Sequence, residues 1–556
     1  MDPRPGRIAA FAFMFLSSGA WALGDAHLAW RRDGDTRWVA LDRSASQLPE
    51  RVPLGSLWKV FVYAYLADTR ASEPVYRCAA GVRAPGAEDE YCCEPGGSIG
   101  RDDALSRSCG RYFDPVRLGI DAVGWQQHWL AATGESAWLR DLGRLTPATE
   151  LHPAEILAAL DAVSLPARRQ ARSALLKVLL EGYGKEAWPA LGTGFRFKTW
   201  SWHVAGHPDQ RIGGGAGWLA DGTPVWFGGA GTSHSVLRQE AAALAAALPP
   251  LDPARLDDTD APCVNVEFFA RYPIRQVTDA RGKPLVGGIL PGTVKVAFEN
   301  GQTLAVPALQ QLDLQHHSDR FTIQGSFSLE DYVARVIDRE GHAEPAEAAR
   351  ALAVAARTYL IQNATRRAGC WAIADSSRTQ RVSPAPPTPS ARAAARFTEG
   401  LILDQQVHYH QTDAAIGTLA WTAAVERARA GARFDRLLED AFPGAVAMGV
   451  DTGMDCERLG EAEIWITQRA RLWDRELQRH PGFEKPATLS VCRLTHGQPY
   501  SDQRRNRIYV RDWLSWQARF TLAHEYIHLA FPFHPDGDNE TFVENTARHL
   551  TEGTLP

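Results

Sequence analysis

The sequence has no long apolar run beyond its first residues, no cluster of basic side chains, no C-x-x-C pair and no internal repeat. Each absence removes a class of protein. Without about 18 consecutive apolar residues, no membrane-spanning helix is expected. With a net charge of −5 and no basic run, nucleic acid is not an expected partner. Without C-x-x-C spacing, the eight cysteines are not expected to bind metal or shuttle electrons. With no repeat, 556 residues are expected to form about three domains, each with its own core.

What is present begins at the N-terminus. Arg4 and Arg7 precede the apolar run IAAFAFMFL, and Ala20-Trp21-Ala22 puts small residues at the two positions a signal peptidase reads. Residues 1–22 are therefore expected to be a secretory signal peptide. The run is too short to anchor the chain, and the first cysteine is Cys78, so no lipid anchor follows the cut. A secreted protein, periplasmic or extracellular, is expected in an oxidising compartment. Its cysteines fall in regional groups: Cys78, Cys92, Cys93 and Cys109, then Cys263 and Cys370, then Cys456 and Cys492. Disulfides within modules are expected, with Cys456 to Cys492 the leading pair. A Pro- and Asp-rich linker at 247–262 and a softer break at 446–455 divide a multidomain α+β chain into modules 23–248, 262–445 and 456–556.

The C-terminal module holds TLAHEYIHLAFPFH, in which His524, Glu525 and His528 have the spacing H-E-x-x-H. At this composition the motif arises by chance in only about 0.03 of chains of this length. Phe520, Leu522, Ala523, Ile527 and Ala530 give the surrounding stretch the period of a helix with one buried face, ended by Pro532. On that helix His524 and His528 stand one turn apart and can reach one zinc ion, with Glu525 placed to take a proton from water. A surface helix with two histidines is the plain alternative. For the third ligand, Asp538 is read as the cap of a second helix whose stripe of Val543, Ala547 and Leu550 extends back to Glu540. Glu540 is the favoured ligand, before His534 and then Glu544. The module resembles zincin metallopeptidases, and Asn539-Glu540 resembles the glutamate helix of gluzincins. The strand before the motif helix, RIYVRD, is expected to bind peptide by edge pairing.

In the middle module, EAARALAVAARTY at 347–359 reads as a helix entered through Pro345, preceded by SLEDYVARVIDRE and followed by CWAIADSSRTQ. These segments resemble the sporulation stage II protein D and amidase-enhancer family. The resemblance implies cleavage of peptidoglycan glycan strands, with Glu340, in a charged loop before the helix, as the catalytic acid. Asp375 and Gln380 match the family's D-x-x-x-x-Q segment. A single acid can protonate a glycosidic oxygen while the sugar's own hydroxyl attacks.

In the N-terminal module, a hairpin (HLAWRRDG, TRWVALDR) precedes a helix opening at Gly55 or Ser56, which sets Ser56 and Lys59 one turn apart. S-x-x-K alone is common. Its order with Ser108 in DDALSRSCGRYF, and with Lys198 and Thr199 in FRFKTWSW, resembles penicillin-binding proteins and serine β-lactamases, with GWLADGTPVWFGG as the next strand. That resemblance implies an α/β fold and a serine nucleophile activated by lysine. Gly110 stands where the family has Asn, and Trp200 where it has Gly; an indole there is expected to crowd the strand edge, so lost or altered acyl transfer is expected.

Two functions follow. One is a secreted enzyme of the peptidoglycan, a zinc metallopeptidase joined to wall-cleaving or wall-binding modules. The other is a non-catalytic scaffold holding glycan strands and stem peptides for other wall enzymes. The whole arrangement resembles an uncharacterised family of predicted secreted bacterial proteins.

Overall fold

A computed structural model describes residues 26–552, except 42–46, 70, 72, 79–96, 183, 205–206, 257–262, 318–319, 368–369, 413–414, 451–455, 457, 487–488, 495–496, 504 and 533. The expected signal peptide and the pair Cys92 and Cys93 lie outside the described residues. The chain is a multidomain α+β protein that divides into two compact units. Among the described residues no helix is long and apolar enough to cross a membrane.

Of the described residues, the first unit takes those within 26–175, 197–218 and 223–250. The expected hairpin forms, His27–Arg32 pairing antiparallel with Asp35–Ala40. These strands open a five-stranded sheet that continues through Pro224–Ala230 and His207–Trp218 and ends on Arg196–Val204. GWLADGTPVWFGG is thus not one strand: Gly217 and Trp218 end one, and Pro224 begins the next. The helix Trp58–Thr69 follows a tight turn at Gly55–Leu57 and buries Val60, Phe61, Val62 and Leu66 around most of its circumference, as a central helix must.

The second unit comprises 176–196, 219–222 and 251–556, so the expected border between middle and C-terminal modules does not separate compact units. Its ten-stranded sheet centres on Cys263–Phe268, which pairs antiparallel with Arg320–Ser328 and parallel with Cys370–Ala374. Alternation decides its faces: Val264, Val266 and Phe268 are buried and Asn265 is exposed. Helices Leu329–Glu340 and Ala346–Asn363 share this core. Ser328 caps the first, its hydroxyl accepting from Asp331 N at 3.3 Å. In the second, alanines permit close approach, and buried Arg357 donates to Glu330 at 3.1 Å and to Leu401 O at 2.9 Å. Glu340 is the last residue of a helix and not a loop residue. Nor does the middle fold stop at 445, because Ala447–Gly449 pairs with Leu401–Leu403.

Further along, Gly460–Leu477 is helical, followed by a three-stranded sheet in the order Ser490–Arg493, Arg507–Val510, Tyr500–Asp502. The strand before the motif helix is therefore the central one. The edge that lies against the helix belongs to Tyr500–Asp502. Cys456 pairs with Cys492 as expected, and Cys263 with Cys370.

Candidate functional site

The motif helix spans Trp516–Ala530, and the Ser515 hydroxyl caps it by accepting from Ala518 N at 3.1 Å. Leu522, Ala523, Ile527 and Ala530 pack into a core with Val491, Ile508 and Val510, and the Tyr526 hydroxyl donates to Asp474 at 2.6 Å. This burial fixes the helix's rotation and turns His524 and His528 together on another face, their Nε2 atoms 3.1 Å apart. Glu540, the first residue of the helix Glu540–Glu552, brings Oε2 to 3.4 Å from His524 Nε2 and 3.9 Å from His528 Nε2. The three donors all lie within 4.8 Å of one another.

The surroundings suit metal ligands. His528 Nδ1 lies 2.6 Å from Gly537 O, which assigns the proton to Nδ1 and leaves Nε2 its lone pair. Glycine is required at 537, since a Cβ there would stand 2.0 Å from Phe531 O. Burial, then the neighbouring His528, holds the His524 imidazole below its ordinary value, favouring the neutral form. Glu525 is 7% exposed; burial, then the Glu540 charge, pushes its carboxyl up to about 8, opposed by a hydrogen bond from Ser501. Two imidazoles and one carboxylate are a donor set of the kind that holds zinc.

Of the other candidates, His534 is turned away: its Nδ1 accepts from Asp536 N at 3.2 Å and caps the turn Pro535–Asp538. Glu544 pairs with Arg548 at 2.9 Å. Two expectations need correction here. The last helix is capped by Asn539, whose Oδ1 accepts from Phe542 N at 3.3 Å, because Asp538 belongs to the preceding turn. Glu540 does not start a buried face; its side chain is 51% exposed and reaches the imidazoles from the rim.

A second cluster surrounds Glu340. Its Oε1 accepts from Arg381 N at 2.6 Å, and burial raises its carboxyl above the ordinary carboxylate value against that hydrogen bond. Asp375 is likewise raised by burial while accepting from Val382 N at 3.0 Å. Gln380 is fully buried, accepting from the Tyr332 hydroxyl at 2.5 Å and donating to Ala356 O at 3.0 Å and the Tyr409 hydroxyl at 2.8 Å. Burial raises the Tyr332, Tyr359 and Tyr409 hydroxyls, and the Glu340 charge adds to each. Sequence reading missed these tyrosines. Tyr332, eight residues before Glu340 on one helix, carried a usable signal; Tyr409 did not.

In the first unit, Lys59 is buried and its Nζ donates to Ser108 O at 2.8 Å, Ser108 Oγ at 3.0 Å and Ser56 Oγ at 3.4 Å. Lys198 Nζ donates to Thr199 O at 2.9 Å. Trp200 does not crowd the strand edge. It points inward at 1% exposure, stacked on Trp226 at 6.0 Å and lying beneath Gly55.

Comparison with known proteins gives these sites a setting. Residues 85–209 and 417–536 match the model of the family described as predicted secreted protein, DUF2300, and residues 317–404 match the stage II sporulation protein family, SpoIID. The uncharacterized protein YfaQ of Escherichia coli strain K12 is 40% identical over 510 residues, covering 91% of each chain. The chain belongs to the same family as YfaQ. It is a secreted protein, and its SpoIID match ties it to a cell-wall-related role. Among solved structures, an ancestral class A β-lactamase, GNCA4, from the last common ancestor of Gram-negative bacteria, is 15% identical, covering 40% of this chain and 92% of its own, with a TM-score of 0.27. The C-terminal domain of the Bacillus licheniformis BlaR penicillin-receptor is 13% identical, covering 40% and 87%, with a TM-score of 0.26.

Proposed function

We propose that the protein is a secreted zinc metallopeptidase acting on the peptide part of the cell wall. The observation that carries this reading is the convergence of His524, His528 and Glu540 donors beside a buried Glu525. Zinc held there would supply a Lewis acid and an acidified water. The chain's own residues would do the rest. His524 and His528 present their Nε2 atoms to the metal position, and Gly537 O orients the His528 ring through Nδ1. Glu525 holds or releases a proton next to the metal position, a role its poor solvation suits. The Tyr500–Asp502 strand stands at the edge of the three-stranded sheet, the position where an extended peptide could add to it. Peptidoglycan stem peptides are the substrate class that fits a secreted wall protein. The test is mass spectrometry of muropeptides incubated with the mature protein, with and without a chelator. New peptide fragments that vanish with the chelator and with Glu525→Gln are expected; unchanged muropeptides would contradict the reading.

A second activity is supported by Glu340, whose buried carboxyl holds its proton to higher pH than an exposed one and can serve as the acid in glycan-strand cleavage. A scaffold that only binds the wall would show neither activity.

A further inference from the structure

The edge strand beside the metal position is only three residues long, Tyr500–Asp502, and pairs along one side. Such a short edge strand has few ladder hydrogen bonds to fix it. It nevertheless leads directly into a contact that bears on the centre: just past the strand, Gln503 Nε2 donates to His528 O at 3.1 Å.

Its first residue is held by its own sheet, where Tyr500 clusters with Cys492, Leu494 and Tyr509, and also by a residue from elsewhere in the second unit. The Arg366 guanidinium lies between two rings, 3.9 Å from the Tyr500 centroid and 4.2 Å from the Trp371 centroid. Tyr500 in turn stacks on Tyr509 at 4.5 Å and 10°, completing a ladder of Trp371, Arg366, Tyr500 and Tyr509. Arg366 and Trp371 are cross-strand partners within the region matching SpoIID, and Trp371 is 4% exposed. A guanidinium stacks flat on aromatic faces, so the arrangement fixes the Tyr500 ring in position and orientation.

We infer that Arg366 is a positioning residue for the metal site: by clamping Tyr500 it sets the strand that leads to Gln503, whose amide holds the backbone of His528. The inference rests on reading His524, His528 and Glu540 as a zinc site. It makes the SpoIID-matching region and the H-E-x-x-H region parts of one working unit, in which a disturbance at Trp371 reaches the metal.

The test uses the full mature chain with Arg366→Ala, Arg366→Lys and Trp371→Leu. Zinc affinity is measured by competition with a chelator, the ligand field by the visible spectrum of Co2+ in place of zinc, and the strand by amide hydrogen exchange at 500–503. Supports of ligand residues are worth about 10–100-fold in metal affinity. Arg366→Ala is expected to weaken zinc about tenfold, alter the Co2+ spectrum and speed exchange at 500–503, while exchange in 462–474 stays unchanged. Arg366→Lys, which keeps a cation between the rings, is expected to restore part of the affinity. Native zinc affinity and native exchange in Arg366→Ala would overturn the inference while leaving the zinc site standing. Absence of zinc from the wild-type chain would instead overturn the zinc reading and this inference with it. If Arg366→Ala fails to fold, Trp371→Leu, which removes one ring and leaves the guanidinium, carries the same expectations and the same refutation.

Discussion

At the scale of residues, the chemistry rests on carboxyl groups whose surroundings differ. Burial lifts Glu340, so the folded chain binds that proton more tightly than the unfolded chain. The resulting stabilisation is complete below the unfolded value and is lost as pH rises through the raised folded one. Glycan-strand cleavage that uses Glu340 as its acid is expected to decline over the same rise in pH and to disappear in Glu340→Gln; a pH–rate profile on purified sacculi checks both. In the first unit, Lys59 donates to both Ser108 oxygens at shorter distances than to Ser56. Its amine is therefore nearer to Ser108 than to the hydroxyl it would have to deprotonate. Incubation with a fluorescent β-lactam is expected to leave the protein unlabelled, and labelling abolished by Ser56→Ala would contradict this. Much at this scale was legible. H-E-x-x-H, S-x-x-K and the Glu340 segment are local spacings that a sequence displays directly. Tyr409 was not, since it meets Gln380 only through the tertiary fold.

At the scale of elements, periodicity served wherever a buried face ran through a whole helix or strand. The motif helix carries such a face, in Leu522, Ala523, Ile527 and Ala530. It failed where an element is set by its neighbour. Tyr500–Asp502 is too short to show a period of two, and it becomes a strand by pairing antiparallel with Arg507–Val510. The edge therefore belongs to a strand that the sequence does not display. The charged neighbours of Glu340 look like a loop in sequence, whereas the helix from Leu329 runs on to include it. The apolar face of the motif helix determines where its histidines point, so its packing carries the site. Ile527→Ala, at a fully buried position, is expected to lower stability by about 2–5 kcal/mol, read by denaturant unfolding followed at the C-terminal tryptophans.

At the scale of the whole molecule, secretion, disulfides and the cell-wall setting agree. Cys456–Cys492 closes a separation of 36 residues next to the three-stranded sheet. The chain-entropy estimate for such a loop is about 4 kcal/mol. Replacing both cysteines by serine is expected to shift the unfolding midpoint down by a corresponding amount, whereas an unchanged midpoint would show that packing alone holds the region. The number of modules was less legible than their motifs. Composition marks the linker near 250, but contacts between the SpoIID-matching region and the H-E-x-x-H region make one compact unit, and no local signal announces contacts of that range.

The central claim is that His524, His528 and Glu540 hold zinc with Glu525 outside the ligand set. Metal analysis of the purified mature protein beside His524→Ala and Glu525→Gln tests it most directly. The account predicts one zinc per chain, lost in the first variant and kept in the second. A folded native protein without zinc, or one whose zinc survives His524→Ala, would contradict it.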